Sequence, residues 1–163
     1  MRISIGGDYR KVSLGMVVAA CCLSLSACEG DYAVPITSSP TRKVDQRLVG
    51  NWVSKDGTDK IKVRRLDDSI AIVSYNGDLF RAFHSDVGKT PFITVQDIDS
   101  AGRKYLYLTY KLSDDGQRLD LRVVNTKLIP KELKDSGSVQ KLLTKNLKNS
   151  GLFADEGQFT REK

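Results

Sequence analysis

Cysteine and histidine are almost missing from this chain: 163 residues hold three of the first and one of the second. Cys21 and Cys22 sit side by side in an uncharged run near the start, and Cys28 stands directly after that run. Past Cys28 there is no further thiol. The rest of the chain therefore excludes an internal disulfide, a cysteine-based zinc site and a cysteine nucleophile. The single histidine, His84, has no second histidine to share a metal with. Ser85 and Asp86 follow it, but successive residues of a strand point to opposite faces, so the three do not form a catalytic set. No catalytic or cofactor motif stands out. No enzymatic activity, cofactor or metal is expected.

Acidic side chains come in pairs that invite a catalytic reading: Asp67-Asp68, Asp97 with Asp99, Asp114-Asp115 and Asp155-Glu156. Paired carboxylates can run glycoside hydrolysis. Each pair, however, falls at a predicted turn, where aspartate stabilises turn geometry. Lysine gathers late, at Lys127, Lys131, Lys134, Lys141, Lys145 and Lys148. This stretch lacks interleaved aromatics, so nucleic acid is not an expected partner. A solvated helix face accounts for it, with anionic head groups as the functional counterpart.

The start of the chain carries a processing signal. Arg2, Arg10 and Lys11 face one acid, Asp8, and the run Val12 to Ala27 then has no charge. A basic segment followed by an apolar one is the secretory pattern. The run falls short of the about 20 residues that span a bilayer. It ends in Leu25-Ser26-Ala27-Cys28, which resembles the lipobox of bacterial lipoproteins. The resemblance implies a diacylglyceryl group on the Cys28 thiol, cleavage before Cys28 and acylation of the new amino group. It also implies a membrane as partner, through that lipid. Two or three acyl chains anchor firmly, because each buried CH₂ contributes about 0.8 kcal/mol. Glu29 follows where an aspartate would imply retention at the inner membrane, so the implied location is the cell envelope, on the outer membrane facing the periplasm. Loss of residues 1–27 removes three basic residues and one acid, leaving 23 against 19 and lowering the net charge from +6 to +4.

Three segments follow: a signal peptide at 1–27, a lipidated cysteine with a flexible tether at 28–40, and one β-rich domain at 41–163. The tether is inferred from two prolines and small polar residues without a period, and would reach about 40 Å. Val44 and Leu48 suggest a short helical turn. From Gly50 on, short alternating segments are separated by turn signals. The clearest are Asp56-Gly57, Asn76-Gly77 and Ser113 to Gly116. About seven strands result, an antiparallel meander closing into a small barrel or a curved sheet. A helical turn is expected at 130–133 and a helix over 138–147, with Ser138 as N-cap, covering an open end of the sheet. A last strand over 158–162, with Phe159 as its apolar member, closes an edge.

Leu48-Val49-Gly50-Asn51-Trp52 resembles the G-x-W opening of lipocalin-type barrels. The resemblance implies that Trp52 plugs the closed end and that a basic residue of the last strand, here Arg161, packs over its indole. It also implies a place for a small apolar ligand inside. Tyr75, Phe80, Phe83, Phe92, Tyr105, Tyr107 and Tyr110 would line that cavity or fill it. A carrier requires at least about 300 Å³. The expected role is thus a non-enzymatic binding or protein-interaction module of the envelope, with an apolar-ligand or lipid carrier as the alternative.

Overall fold

A computed structural model describes residues 32–99, 102 and 104–162 of the chain, without the side chains of 155 and 156. The signal segment and Cys28 lie outside the described residues.

Turn chemistry sets the register. Asn76 (φ 50°) and Gly77 (φ 111°) adopt the left-handed region that a two-residue hairpin loop demands. They join β3 (Ile70–Tyr75) to β4 (Asp78–His84) with Tyr75 opposite Asp78. The other strands are β1 (Gly50–Ser54), β2 (Lys60–Arg65), β5 (Phe92–Asp97), β6 (Tyr105–Leu112), β7 (Arg118–Val124) and β8 (Phe153–Arg161). Each pairs antiparallel with the next, and β8 pairs with β1, so the eight strands close in chain order. The architecture is the mainly β, lipocalin-like barrel that alternation and turns predict, and it is a closed barrel, not a curved sheet. Closure removes the two free edges that an open sheet would have.

One helix, α1 (Ser136–Asn146), precedes the last strand. Its cap is Asp135, whose carboxylate accepts the Ser138 N–H at 2.8 Å. The expected cap, Ser138, lies inside the helix and donates its hydroxyl to Asp135. An ionised acceptor at the dipole's positive end outcompetes a hydroxyl. The expected helical turn at 130–133 is a single turn at 131–132 that does not extend into a helix. The last strand begins five residues earlier than expected, at Phe153, so Asp155 and Glu156 lie in a strand and not at a turn. A register shift between Val123 and Val124 accommodates the extra length.

The helix does not cap an end of the sheet. Ile93, Val95, Leu106 and Leu108 face inward, so Phe92, Thr94, Tyr105 and Tyr107 face out. Val139 and Leu143 of α1 pack on these outward side chains, together with Ile129 and Leu152. The reason lies in β6, whose first four residues, Tyr-Leu-Tyr-Leu, are apolar on both faces.

The segment expected to be a free tether is, from Tyr32 on, part of the same cluster. Tyr32 exchanges two backbone hydrogen bonds with Tyr105 (3.0 and 2.9 Å) and stacks on Tyr107 with ring centroids 3.9 Å apart. Ile36 is fully buried, and its N–H donates to Thr94 Oγ1. Ser136 at the start of α1 donates to the Pro35 carbonyl at 2.8 Å. The strap then crosses to the other end of the barrel, where the Thr41 N–H donates to the His84 carbonyl and that of Val44 to Asp68. Tyr32, Val34 and Ile36 alternate as a strand does, which is why this short, proline-containing stretch has one apolar side to bury.

Candidate functional site

The barrel has two unlike ends. At one, β1 begins and β8 finishes, and a 3₁₀ turn, Gln46–Leu48, lies across the opening. Val44, Leu48, Trp52, Leu119 and Phe159 form a buried cluster there. The Trp52 indole N–H donates to the Leu48 carbonyl at 2.9 Å, fixing the 3₁₀ turn to the plug. Arg161 pairs with Trp52 in register and sets its guanidinium 4.3 Å from the indole ring. The same guanidinium donates to the carbonyls of Val49 (2.9 Å), Gly116 (3.1 Å) and Arg47. Gly50 is required beside it: its φ is +151°, and a Cβ would come within 2.4 Å of Arg161 Nη1. The structure thus brings together the two residues that the sequence singles out as a structural pair.

Inside the barrel lies an apolar cavity of about 140 Å³. It runs from Val44 and Leu48 at the plugged end to Tyr75 and Phe80 beside the β3–β4 turn at the other. Side chains near the plug, such as Ile61, Ala71 and Leu119, are buried; those further along, such as Val73, Leu106, Leu121 and Val123, are only half-buried. The cavity therefore opens away from the plug. Of the seven aromatics expected to line it, Tyr75, Phe80 and Phe83 do so. Phe92, Tyr105 and Tyr107 belong instead to the outer cluster, because the covered outer face competes for the same strands. The volume is about half of what a carrier of drug-sized ligands needs. It matches the size of an engineered apolar cavity that admits benzene, about 150 Å³.

His84 is the one charged-capable nitrogen in the cavity wall. Only 3% of it is exposed. Burial, and next the Arg42 guanidinium, hold its imidazole below the ordinary value of 6.5, against the pull of Asp86. Its Nδ1 stands 4.0 Å from Asp86 Oδ1, beyond hydrogen-bond range. Asp86 pairs instead with Arg42 at 3.1 Å. Next to His84, with ring centroids 5.8 Å apart, is Tyr110, which burial pushes up to about 12. Tyr110 donates to Asp45, whose carboxylate Arg47 holds below the usual range. Ser85 does not join this group. Its hydroxyl turns to the outer face, where it accepts from Thr94 at 2.8 Å and lies 2.7 Å from Thr37. The sequence placed the serine and the histidine on opposite faces, and they are.

The turn acids hold turns. Asp67 accepts the N–H groups of Ser69 and Ile70, Asp97 that of Asp99, and Asp115 that of Gln117. Among the described residues no three histidine, cysteine or acidic side chains converge as a metal site would require. The exposed lysines of α1, Lys141 and Lys145, point away from the cluster formed by Val139 and Leu143.

The strap and the outer cluster are not foreshadowed by the residues of the strap itself. The doubly apolar start of β6 was the available signal for both. Comparison with known proteins finds no family model, no curated protein and no solved structure that matches the chain.

Proposed function

We propose that this chain is an envelope lipoprotein, held on a membrane by lipid on Cys28, whose barrel is a non-enzymatic binding module for a small apolar group. The observation that carries the binding reading is the cavity: apolar walls, one plugged end, one open end and room for about one aromatic ring or a short chain end. A site of this size selects by fit and exclusion of water. It offers His84 as its single titratable nitrogen, buried and held toward the neutral form, so it favours uncharged occupants. The outer membrane facing the periplasm is the location implied by Cys28 followed by Glu29.

Two measurements test the reading. Mass spectrometry of the mature amino terminus should find acylated Cys28; an unmodified terminus elsewhere would remove the anchor. Titration with indole, followed by methyl NMR, should shift Val73, Leu121 and Val123 and leave Val139 and Leu143 in place. A Val73→Phe variant, which fills the cavity, should lose those shifts. Equal shifts in both sets, or none, would refute the cavity as a binding site.

A further inference from the structure

The strap decides which end of the barrel an anchor at Cys28 can bring to a membrane. Tyr32 is fixed on Tyr105, at the start of β6, which is the open end. Only four peptide links separate Cys28 from Tyr32, and they span at most about 14 Å. A lipid on Cys28 is thus confined to the neighbourhood of the cavity mouth and cannot reach the plugged end.

The mouth has an apolar feature on the same side. Phe80 pairs with Asp97, so one step further along β4 and β5 brings Leu79 beside Ile98. Their exposures are 41% and 44%, two of the three large apolar side chains that the described residues leave in water. Both point to the outer face of the rim. Gln96 pairs with Tyr105, so Gln96 lies about two strand spacings, some 10 Å, from Tyr32, and Ile98 is two residues beyond it, about 12 Å away. Charges around the rim are of both signs: Lys55, Lys60 and Lys104 against Asp56, Asp59, Asp78 and Asp99. The exposed Lys127, just past the end of β7, adds to this rim, and what singles out the face is its apolar pair.

Accepting the lipid anchor on Cys28, we propose that the barrel docks mouth-down on the bilayer, with Leu79 and Ile98 entering the lipid surface. The cavity then opens toward acyl chains, and its occupant arrives from the membrane phase. Leu66, exposed at 65% beside the β2–β3 turn, is at the far end and stays in water.

The test uses the lipidated chain in vesicles of phosphatidylcholine brominated on its acyl chains, which quench tryptophan on contact. Leu79→Trp and Ile98→Trp should each be quenched several-fold more than the wild-type protein, whose only tryptophan is the buried Trp52. Leu66→Trp should match the wild type. All three sites are exposed, so the fold survives substitution. Mass spectrometry first establishes whether the chain carries lipid. In a parallel arm, the chain from residue 28 on, whose only thiol is Cys28, is coupled to maleimide lipid in the same vesicles. Mouth-specific quenching in the coupled chain supports the docking face even where native lipidation is not found, so the two readings fail separately. Quenching of Leu66→Trp, or of neither rim variant in either arm, overturns the docking face.

Discussion

The sheet has an apolar cluster on each side, and the one outside is the better packed. Phe92, Tyr107, Val139, Leu143, Ile129 and Leu152 are sealed between the outer face of β5–β6, the strap and α1. Inside, the plugged end is closed, but half of the wall remains open to an unfilled cavity. Close packing yields most of the dispersion and burial energy of a fold, and a void forfeits it. The difference teaches that close packing is divided unevenly between the two sides. The outer cluster and the Trp52 plug hold the barrel in shape. The interior near the mouth contributes less, because its side chains border an apolar cavity.

Five measurements by chemical denaturation break or sharpen this contrast. Leu143→Ala, in the outer cluster, should cost about 3–4 kcal/mol, in the range of fully buried leucines. Arg161→Met should cost about 2–3 kcal/mol, since it removes the contact with Trp52 and leaves three carbonyls without their charged donor. Thr94→Val, which takes the hydroxyl from Ser85 and Ile36 beneath the strap, should cost about 1–2 kcal/mol. Leu121→Ala, on the half-buried wall, should cost about 1 kcal/mol or less, because the space it opens adds to one already present. A loss at Leu121 equal to that at Leu143 would erase the division.

The smallest effect is a pH dependence. His84 binds a proton less readily in the folded state than in the unfolded chain, where its pKa is near 6.5. Its contribution is complete above that value and is lost as pH falls through it toward the lower folded pKa. The wild-type unfolding midpoint should drop between about pH 7.5 and about pH 5.5, and His84→Leu should flatten that slope. Losses from Asp45, Asp68 and Asp135, all held below their ordinary value, begin only in the carboxylate range.

Much of the barrel is legible in the chain because it is written locally. Asn76-Gly77 specifies a turn by its φ angles, and Leu119, Leu121 and Val123 alternate as the inward face requires. The Gly50-Asn51-Trp52 plug is legible for the same reason, with Arg161 as its distant partner. What stayed hidden depends on pairs far apart in sequence. Nothing near Tyr32 announces Tyr105 or Tyr107, and prolines disguise the strap's alternation. Asp155, Glu156 and Gly157 imitate a turn, yet β7 supplies partners that keep the backbone extended. The cavity was beyond reach, since its size depends on which aromatics turn outward.

The seam between β1 and β8 has a consequence for biogenesis. Trp52 meets Arg161 across more than a hundred residues, and the same guanidinium ties the plug to three carbonyls. A chain that emerges from its amino end cannot complete this lock until the eighth strand is available, and such distant pairing is slow. The barrel gains this clasp only when its last strand is in place, so closure of the whole sheet waits on the final residues of the chain.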